Sequence, residues 1–382
     1  MNGMDEAEKS LCESADVFLD ELLKFRADES LLLFLDERDD PRVAAAIELR
    51  AVARGGRTES LCLDSRLPLA DQAEQVASRI RSGNFNAVCE LASDYFYLTA
   101  AWAAARESGA RIYSLGGLDA KSFIRCVGQA DHRRMFAFGM AVKEILGKST
   151  IITISSPGGT SLRMSRNPQR GELVRWSGRI GRRLRRSVRE VTRRLGLKQA
   201  TAFLRAPDPQ DFLFDPAGYI EDGGSFLGGQ LSFRGIPSTI EGTAVIDGYL
   251  WPSGEIGPGE EPVILRFKNG IVTAIEGCKS KAQRLSERLN GHEASLEHFC
   301  LGLNPGAGWS GKLLEVERVF GAITVGFGKG LRHTDGVIRN PSLAVDNRVL
   351  LDRETFSDLL DGRTGLTLTS RRCYERKDLH SA

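Results

Sequence analysis

The run Ser30-Leu31-Leu32-Leu33-Phe34-Leu35-Asp36 decides the fold of the first half of the chain. It is apolar on both faces and ends in an acidic residue, which is typical of a strand buried in a parallel sheet. After this run, helical patterns alternate with further strand patterns at 60–63, 85–91, 111–115 and 150–154. This alternation predicts an α/β domain with an open, mostly parallel sheet over residues 1–155.

The role of this first domain is open between two interpretations. No Gly-x-Gly-x-x-Gly follows the first strand, which argues against a bound dinucleotide. The domain could then be a scaffold and oligomerisation unit, or it could contribute to ligand binding.

Composition and charge are those of a soluble globular protein. The chain has 382 residues, 41% of them apolar, and a net charge of +2, so no polyanionic partner is expected for the whole molecule. Its seven cysteines include no Cys-x-x-Cys pair, which favours reduced thiols and a cytoplasmic location. The polar first residues are unlike a signal peptide, and we expect no transmembrane segment because no run of about 18 apolar residues occurs.

Residues 156–206 form a basic insert between two domains. From Arg163 to Lys198, thirteen lysines and arginines face only two glutamates. One apolar stripe at helical spacing runs through this segment, formed by Ile180, Leu184, Val188, Val191 and Leu195. Three interpretations stay open: contact with nucleic acid, contact with an anionic membrane surface, or a solvated helix that packs on its own domain.

Residues 207–382 predict an α+β domain rich in antiparallel sheet. Glycines punctuate β-type runs, and we expect one hairpin around Asp247-Gly248 and a second, with a type I′ turn, around Asn269-Gly270. A helical pattern covers 281–289. The domain boundaries are therefore predicted near residues 155 and 207.

One short motif in this domain indicates a metal site. In His333-Thr334-Asp335 an imidazole and a carboxylate stand two residues apart, and on an extended segment both side chains lie on one face and can reach one ion. By itself the spacing is equally compatible with Asp335 as a turn residue before Gly336.

The order of several motifs resembles the metallo-aminopeptidase family typified by aminopeptidase T and aminopeptidase S. The segments that carry the resemblance are ISSPGGT (154–160), IEGTAVIDG (240–248), LGLNPGA (301–307), GAITVGFG (321–328) and HTDGVI (333–338). The resemblance implies an N-terminal α/β domain, a C-terminal metal-binding domain and a homodimer. It extends over nearly the whole chain except the basic insert and the C-terminal tail.

The departures from this family change the implied site. Peptidases of the family hold two metal ions, but this chain has Gln230 and Thr324 where two of their ligands stand, and neutral side chains of this kind are poor ligands for a divalent ion. His298 replaces a further glutamate, whereas His333 and Asp335 match. The resemblance therefore implies one ion held by His298, His333 and Asp335, as in a divergent branch of the 2,5-dihydroxypyridine 5,6-dioxygenase type.

Three functions follow as hypotheses. The first is a mononuclear non-haem Fe(II) oxygenase that uses O2 on a small aromatic or amino-acid-derived substrate, with Gln230, Thr324 and His132 contributing to catalysis or substrate contact. The second is an aminopeptidase-like hydrolase with Zn²⁺ or Mn²⁺ on the same ligands. The third is a binding protein without catalysis, which recruits an anionic partner through the basic insert.

Overall fold

The structure is a computed structural model that describes residues 5–166, 216, 218, 224–289, 291–292, 294–329 and 332–357. The apolar stripe from Ile180 to Leu195 lies outside these ranges, as does all of the basic segment after Arg166. Its three interpretations therefore stay open.

A parallel sheet forms the first layer of the molecule, as the sequence predicted. Its strand order is β2-β1-β3-β4-β7, and all its pairs are parallel. The strands are β1 (Ser30–Asp36), β2 (Arg57–Leu63), β3 (Ala87–Glu90), β4 (Arg111–Ser114) and β7 (Ser225–Phe226). The helices are α1 (Glu6–Val17), α2 (Pro41–Ala53), α3 (Leu69–Ser82), α4 (Ala100–Ser108), α5 (Ala120–Phe123) and α6 (His132–Lys148), with π-helical turns at Phe18–Leu23 and Ile124–Gly128.

Helices on both faces of this sheet explain why β1 is apolar throughout. Leu31, Leu33 and Leu35 pack into the hydrophobic core that α1 and α2 cover. Leu32 and Phe34 point the other way, into the core that α3 and α4 cover. Because alternate residues of a strand point to opposite faces, burial on both faces requires an unbroken apolar run.

Two antiparallel sheets form the remainder of the described chain. The six-stranded sheet has the order β11-β10-β16-β15-β14-β8, and the eight-stranded sheet has the order β13-β12-β9-β6-β5-β17-β18-β19. Two α-helices accompany these sheets in the described residues, α7 (Lys279–Leu289) and α8 (Leu313–Val316). The strands of the two sheets are β5 (Ile151–Ser155), β6 (Ser161–Ser165), β8 (Gln230–Phe233), β9 (Glu241–Ile246), β10 (Tyr249–Leu250), β11 (Gly254–Glu255), β12 (Val263–Lys268), β13 (Ile271–Gly277), β14 (Leu296–Gly302), β15 (Ile323–Phe327), β16 (Thr334–Ile338), β17 (Ser342–Val345), β18 (Arg348–Asp352) and β19 (Thr355–Phe356). Side chains of both sheets and of α6 share one hydrophobic core.

The strand predicted at 150–154 is present as β5, but its expected place in the parallel series is wrong. It pairs antiparallel with β6 and β17 in the eight-stranded sheet. Only alternate residues, Ile152 and Ile154, are fully buried, as in a strand that covers a core with one face. The edge position next to β4 is taken by β7, which follows the insert. The domain boundaries near 155 and 207 stay predictions.

One of the two expected hairpins is confirmed and the other is wrong. β12 and β13 pair through Asn269 and Gly270, whose φ angles of 52° and 75° are the positive values that a type I′ turn requires. Asp247-Gly248 instead carries the chain from the eight-stranded sheet to the six-stranded one. The Asp247 carboxylate accepts a hydrogen bond of 2.7 Å from the Arg339 backbone N–H, so it stabilises a crossing between sheets.

Within the described ranges, no helix combines the length and the apolarity that crossing a membrane would need.

Candidate metal centre and cavity

Three neighbouring strands of the six-stranded sheet bring His298 and Asp335 to one face. His298 lies on β14 and Asp335 on β16, and both pair with Gly326 of the intervening β15. A Cβ atom on Gly326 would lie 2.4 Å from His298 Cε1, so the space between the two side chains exists because residue 326 has none. The two predicted ligands therefore converge over a glycine.

His333, which immediately precedes β16, completes the predicted trio. Its Nε2 atom lies 3.2 Å from Asp335 Oδ2, and its ring stacks on that of His298 with centroids 5.2 Å apart. His298 Nε2 lies 3.6 Å from Asp335 Oδ1, too far for a hydrogen bond. This buried carboxylate oxygen has no hydrogen-bond partner in the described part of the chain. The separation of 3.6 Å between His298 Nε2 and Asp335 Oδ1 is one that two ligands of a common ion can have.

Glu297 belongs to the same cluster and was missed from the sequence. Candidate ligand atoms of Glu297, His298 and His333 all lie within 4.8 Å of one another. Neighbouring residues of a regular strand point to opposite faces, but the register of β14 against β15 shifts between Leu296 and His298, a β-bulge that frees Glu297 from this rule. Its Oε2 atom lies 3.2 Å from Nδ1 of His333, which is also 3.4 Å from the Gly328 carbonyl oxygen. No local sequence signal marks this bulge.

The charges of this cluster are compatible with a bound cation. Burial lowers the pKa of His298, which favours a neutral imidazole. Burial also opposes a charge on His333, but Asp335 and Glu297 outweigh it and raise its pKa to about 11. Although burial alone would raise the pKa of Asp335, the two histidines hold it well below its usual range. Without an ion, a proton on His333 therefore compensates the carboxylates, and a divalent cation would take over that function. The donor set of imidazole nitrogens and carboxylate oxygen fits such an ion.

Gln230 and Glu317 stand beside this cluster. Gln230, the buried first residue of β8, is hydrogen-bonded to the Glu317 side chain. Burial and the nearby Asp335 raise the pKa of Glu317 to about 8. Glu317 follows the short helix α8, and no sequence pattern pointed to it.

The other two predicted catalytic residues lie apart from the cluster. Thr324 is buried on β15 between Cys300 and Val337, two residues from Gly326 and on the same face. His132 is the first residue of α6, and its Nε2 atom is 2.9 Å from the carbonyl oxygen of Val127. Neither residue lines the cavity described next, and their catalytic roles stay predictions.

A cavity of about 330 Å³ lies between the parallel sheet and the metal cluster. One wall comes from the carboxyl ends of the parallel strands, where α/β sheets bind ligands, and includes Arg38, Glu90, Ser114 and Phe226. The opposite wall consists of Gln230, Tyr249, Trp251, His298, Glu317, Arg318, His333 and Asp335. The volume suits a small molecule. Of the two interpretations of the first domain, this geometry favours ligand binding.

Comparisons with known proteins support the fold and leave the family open. No family model matches the sequence, and a search of curated proteins finds no match. Among solved structures, the chain is similar to 2,5-dihydroxypyridine dioxygenase from Pseudomonas putida KT2440, with a TM-score of 0.63, 13% identity and coverage of 93% of this chain and 98% of that one. It is also similar to AmpT from Thermus thermophilus, with a TM-score of 0.54, 13% identity and coverage of 91% and 99%. At this identity the likeness shows a shared fold, the one that the motif resemblance implied.

Proposed function

We propose that the protein is a mononuclear non-haem Fe(II) oxygenase that acts with O2 on a small, oxygen-bearing aromatic or amino-acid-derived molecule. The observation that carries the proposal is the convergence of His298, His333 and Asp335 at one end of a cavity of small-molecule size. Two imidazoles and one carboxylate are the ligand set of this enzyme class. Gln230 and Thr324 bring no charge that would hold a second ion.

The partner of His333 indicates which nitrogen would hold the ion. Glu297 lies on the Nδ1 side of the ring, whereas Nε2 faces Asp335. When a carboxylate accepts a hydrogen bond from one nitrogen of a histidine ring, it orients the other ring nitrogen toward the metal and makes that nitrogen more basic. We therefore assign Nε2 as the ligand atom and Glu297 as a positioning residue. When bound, iron would supply open coordination positions for substrate and O2 and a path for electrons between them.

The other cavity residues would bind the substrate and manage protons. Tyr95, Phe226, Tyr249 and Trp251 give apolar surface that excludes water and accepts a flat ring. Burial raises the pKa of Glu317 to about 8, although the neighbouring Arg318 acts in the opposite direction, and in its protonated form Glu317 would donate a hydrogen bond to a substrate oxygen. Gln230, its hydrogen-bond partner, would hold that carboxyl group in position.

Metal content distinguishes this proposal from the hydrolytic one. We would purify the protein anaerobically and measure its metals together with those of His333→Ala, Asp335→Asn and, as a control, the exposed Glu261→Gln. About one iron per chain, retained in the control and lost in the other two variants, together with O2 uptake on a panel of hydroxylated aromatic acids, is the expected result. Two zinc ions per chain and peptide cleavage would favour the hydrolase, and the absence of any metal would favour a binding protein.

A further inference from the structure

A buried carboxyl group faces the cavity from the parallel sheet. Glu90 is the last residue of β3, is only 2% exposed and lines the cavity. Its Oε2 atom accepts a hydrogen bond of 2.6 Å from Nε1 of Trp102, a fully buried residue of α4. The tryptophan thus fixes the carboxyl group and occupies one of its oxygens.

The second oxygen of Glu90 lies near Gly116 and Ser114, at the end of the neighbouring strand. A Cβ atom on Gly116 would lie 3.5 Å from Glu90 Oε1 and 3.5 Å from the hydroxyl oxygen of Ser114, the last residue of β4. Gly116 and Ser114 line the same cavity. The same Cβ atom would lie only 2.8 Å from the Ala92 carbonyl oxygen, so backbone packing requires a glycine here, and the cavity is bordered by a carboxyl and a hydroxyl group from two neighbouring strands.

Glu90 carries a proton at neutral pH. Burial raises its pKa to about 8, although hydrogen bonds from Trp102, the Phe96 backbone and Ser114 act in the opposite direction, and the charge of Asp39 adds to the rise. Since Oε2 accepts from Trp102, we assign the proton to Oε1, the oxygen near Gly116. Arg38 of the β1–α2 loop also lines the cavity and is paired there with Asp36 and Asp94.

We propose that Glu90, held in place by Trp102 and Ser114, forms a second subsite, which donates a hydrogen bond to a carboxylate or carbonyl oxygen at the end of the substrate remote from the metal. This inference rests on the proposed function, because the metal centre holds the other end. The substrate class is then a small bifunctional molecule with a chelating oxygen pair and a further acceptor oxygen. A carboxylate fits best, since charged acceptors form the stronger hydrogen bonds.

The test uses ligands that differ only in the second carboxylate. Salicylate chelates a metal through its phenol and carboxyl oxygens, and 4-hydroxyisophthalate and 2-hydroxyterephthalate add a carboxylate at two different ring positions. Dissociation constants would be measured by calorimetry on anaerobic, Fe(II)-loaded protein below and above pH 8, for wild type, Glu90→Gln, Glu90→Ala and the control Glu261→Gln. Circular dichroism and salicylate binding verify that each variant is folded and holds its metal.

We expect at least one dicarboxylate to bind wild type about tenfold more tightly than salicylate below pH 8. This gain should fall as the pH rises through about 8, because ionised Glu90 repels a carboxylate. Glu90→Gln, whose amide still donates, should keep the gain without its pH dependence, and Glu90→Ala should lose it.

Two results would overturn the subsite. One is that wild type binds salicylate but binds neither dicarboxylate more tightly than salicylate. The other is that Glu90→Ala still binds a dicarboxylate more tightly than salicylate, by the same factor as wild type. If salicylate fails to bind even to wild type, the metal centre itself is contradicted, and the subsite, which depends on it, falls with it. The salicylate control therefore separates the two failures.

Discussion

At the scale of single residues, His333 has two carboxylate neighbours, to which the proposed function gives different roles. Asp335 lies on its Nε2 side and Glu297 on its Nδ1 side, each at 3.2 Å. One ring cannot use the same nitrogen for the ion and for a hydrogen bond. Under the proposed function, Asp335 would be a ligand and Glu297 a positioning residue, although the two carboxylates are alike in chemistry.

Replacement of Glu297 tests this division. Glu297→Gln should weaken Fe(II) affinity about 10–100-fold, because His333 loses the charged acceptor that orients its ring. Asp335→Asn should weaken it further, and Glu261→Gln should have no effect. Affinity would be measured by competition with a chelator. A Glu297→Gln protein that binds iron as weakly as Asp335→Asn would instead identify Glu297 as a ligand.

The charge state of His333 predicts proton release on metal binding. Its pKa of about 11 means that the ring is protonated in ion-free protein at neutral pH, whereas a ligand nitrogen must be deprotonated. Each bound ion should therefore release about one proton, and affinity should increase as the pH rises toward the pKa of His333. Calorimetry in buffers with different ionisation enthalpies measures this number. Zero proton release by wild type would contradict the prediction, and His333→Ala should show none from this group.

At the scale of elements, the centre depends on the packing of β14, β15 and β16. The bulge in β14 brings Glu297 to the cluster, and Gly326 of β15 leaves room for the His298 ring. Both features place the side chains of the cluster through the backbone geometry of β14 and β15.

Gly326→Ala should disable the centre without unfolding the protein. The added methyl group would lie 2.4 Å from the His298 ring, so the ring must move away from Asp335. We expect at least a tenfold loss of iron affinity, of the size seen when ligand orientation is disturbed. Gly147→Ala, in helix α6 with no atom within 4 Å of the new Cβ, is the matched control. Unchanged metal binding by Gly326→Ala would show that His298 is not a ligand in this orientation.

At the scale of the whole molecule, a buried carboxylate joins segments that are distant in sequence. Glu315 of α8 accepts hydrogen bonds of 2.6 Å from Ser122 of α5, 2.6 Å from Arg125 and 2.9 Å from the Gly308 backbone. It therefore connects the helices of the parallel sheet to the segment that carries Glu317 to the cavity. The implied homodimer and the cytoplasmic location stay predictions at this scale.

Removal of this carboxylate should destabilise the fold. Glu315→Ala leaves the buried Ser122 hydroxyl and the partly exposed Arg125 guanidinium without their acceptor, so we expect the free energy of unfolding to fall by about 3 kcal/mol. Urea unfolding monitored by fluorescence measures the change, with the exposed Glu261→Ala as control. A loss no larger than that of the control would mean that the network contributes no net stability.

Local patterns were sufficient for much of the fold. The apolar run of β1, the helical spacings around it and the Asn269-Gly270 turn depend on backbone preferences and on burial over a few residues, which a sequence displays directly. The pair His333 and Asp335 could be recognised for the same reason, since two side chains two residues apart share a face of any strand. His298 was assigned only through the resemblance to a known family.

Contacts between residues far apart in the sequence determined the parts of the fold and of the site that local patterns did not predict. Whether β5 joins the parallel or the antiparallel sheet, and whether Asp247-Gly248 turns back or crosses between sheets, depends on partners more than 80 residues away. The positions of Glu317 and Glu90 at one cavity depend on a short helix and the end of a strand, and that of Glu297 in the metal cluster depends on a bulge. No local pattern of charge or apolarity encodes such positions, because they arise only when the sheets pack together and bury those carboxyl groups.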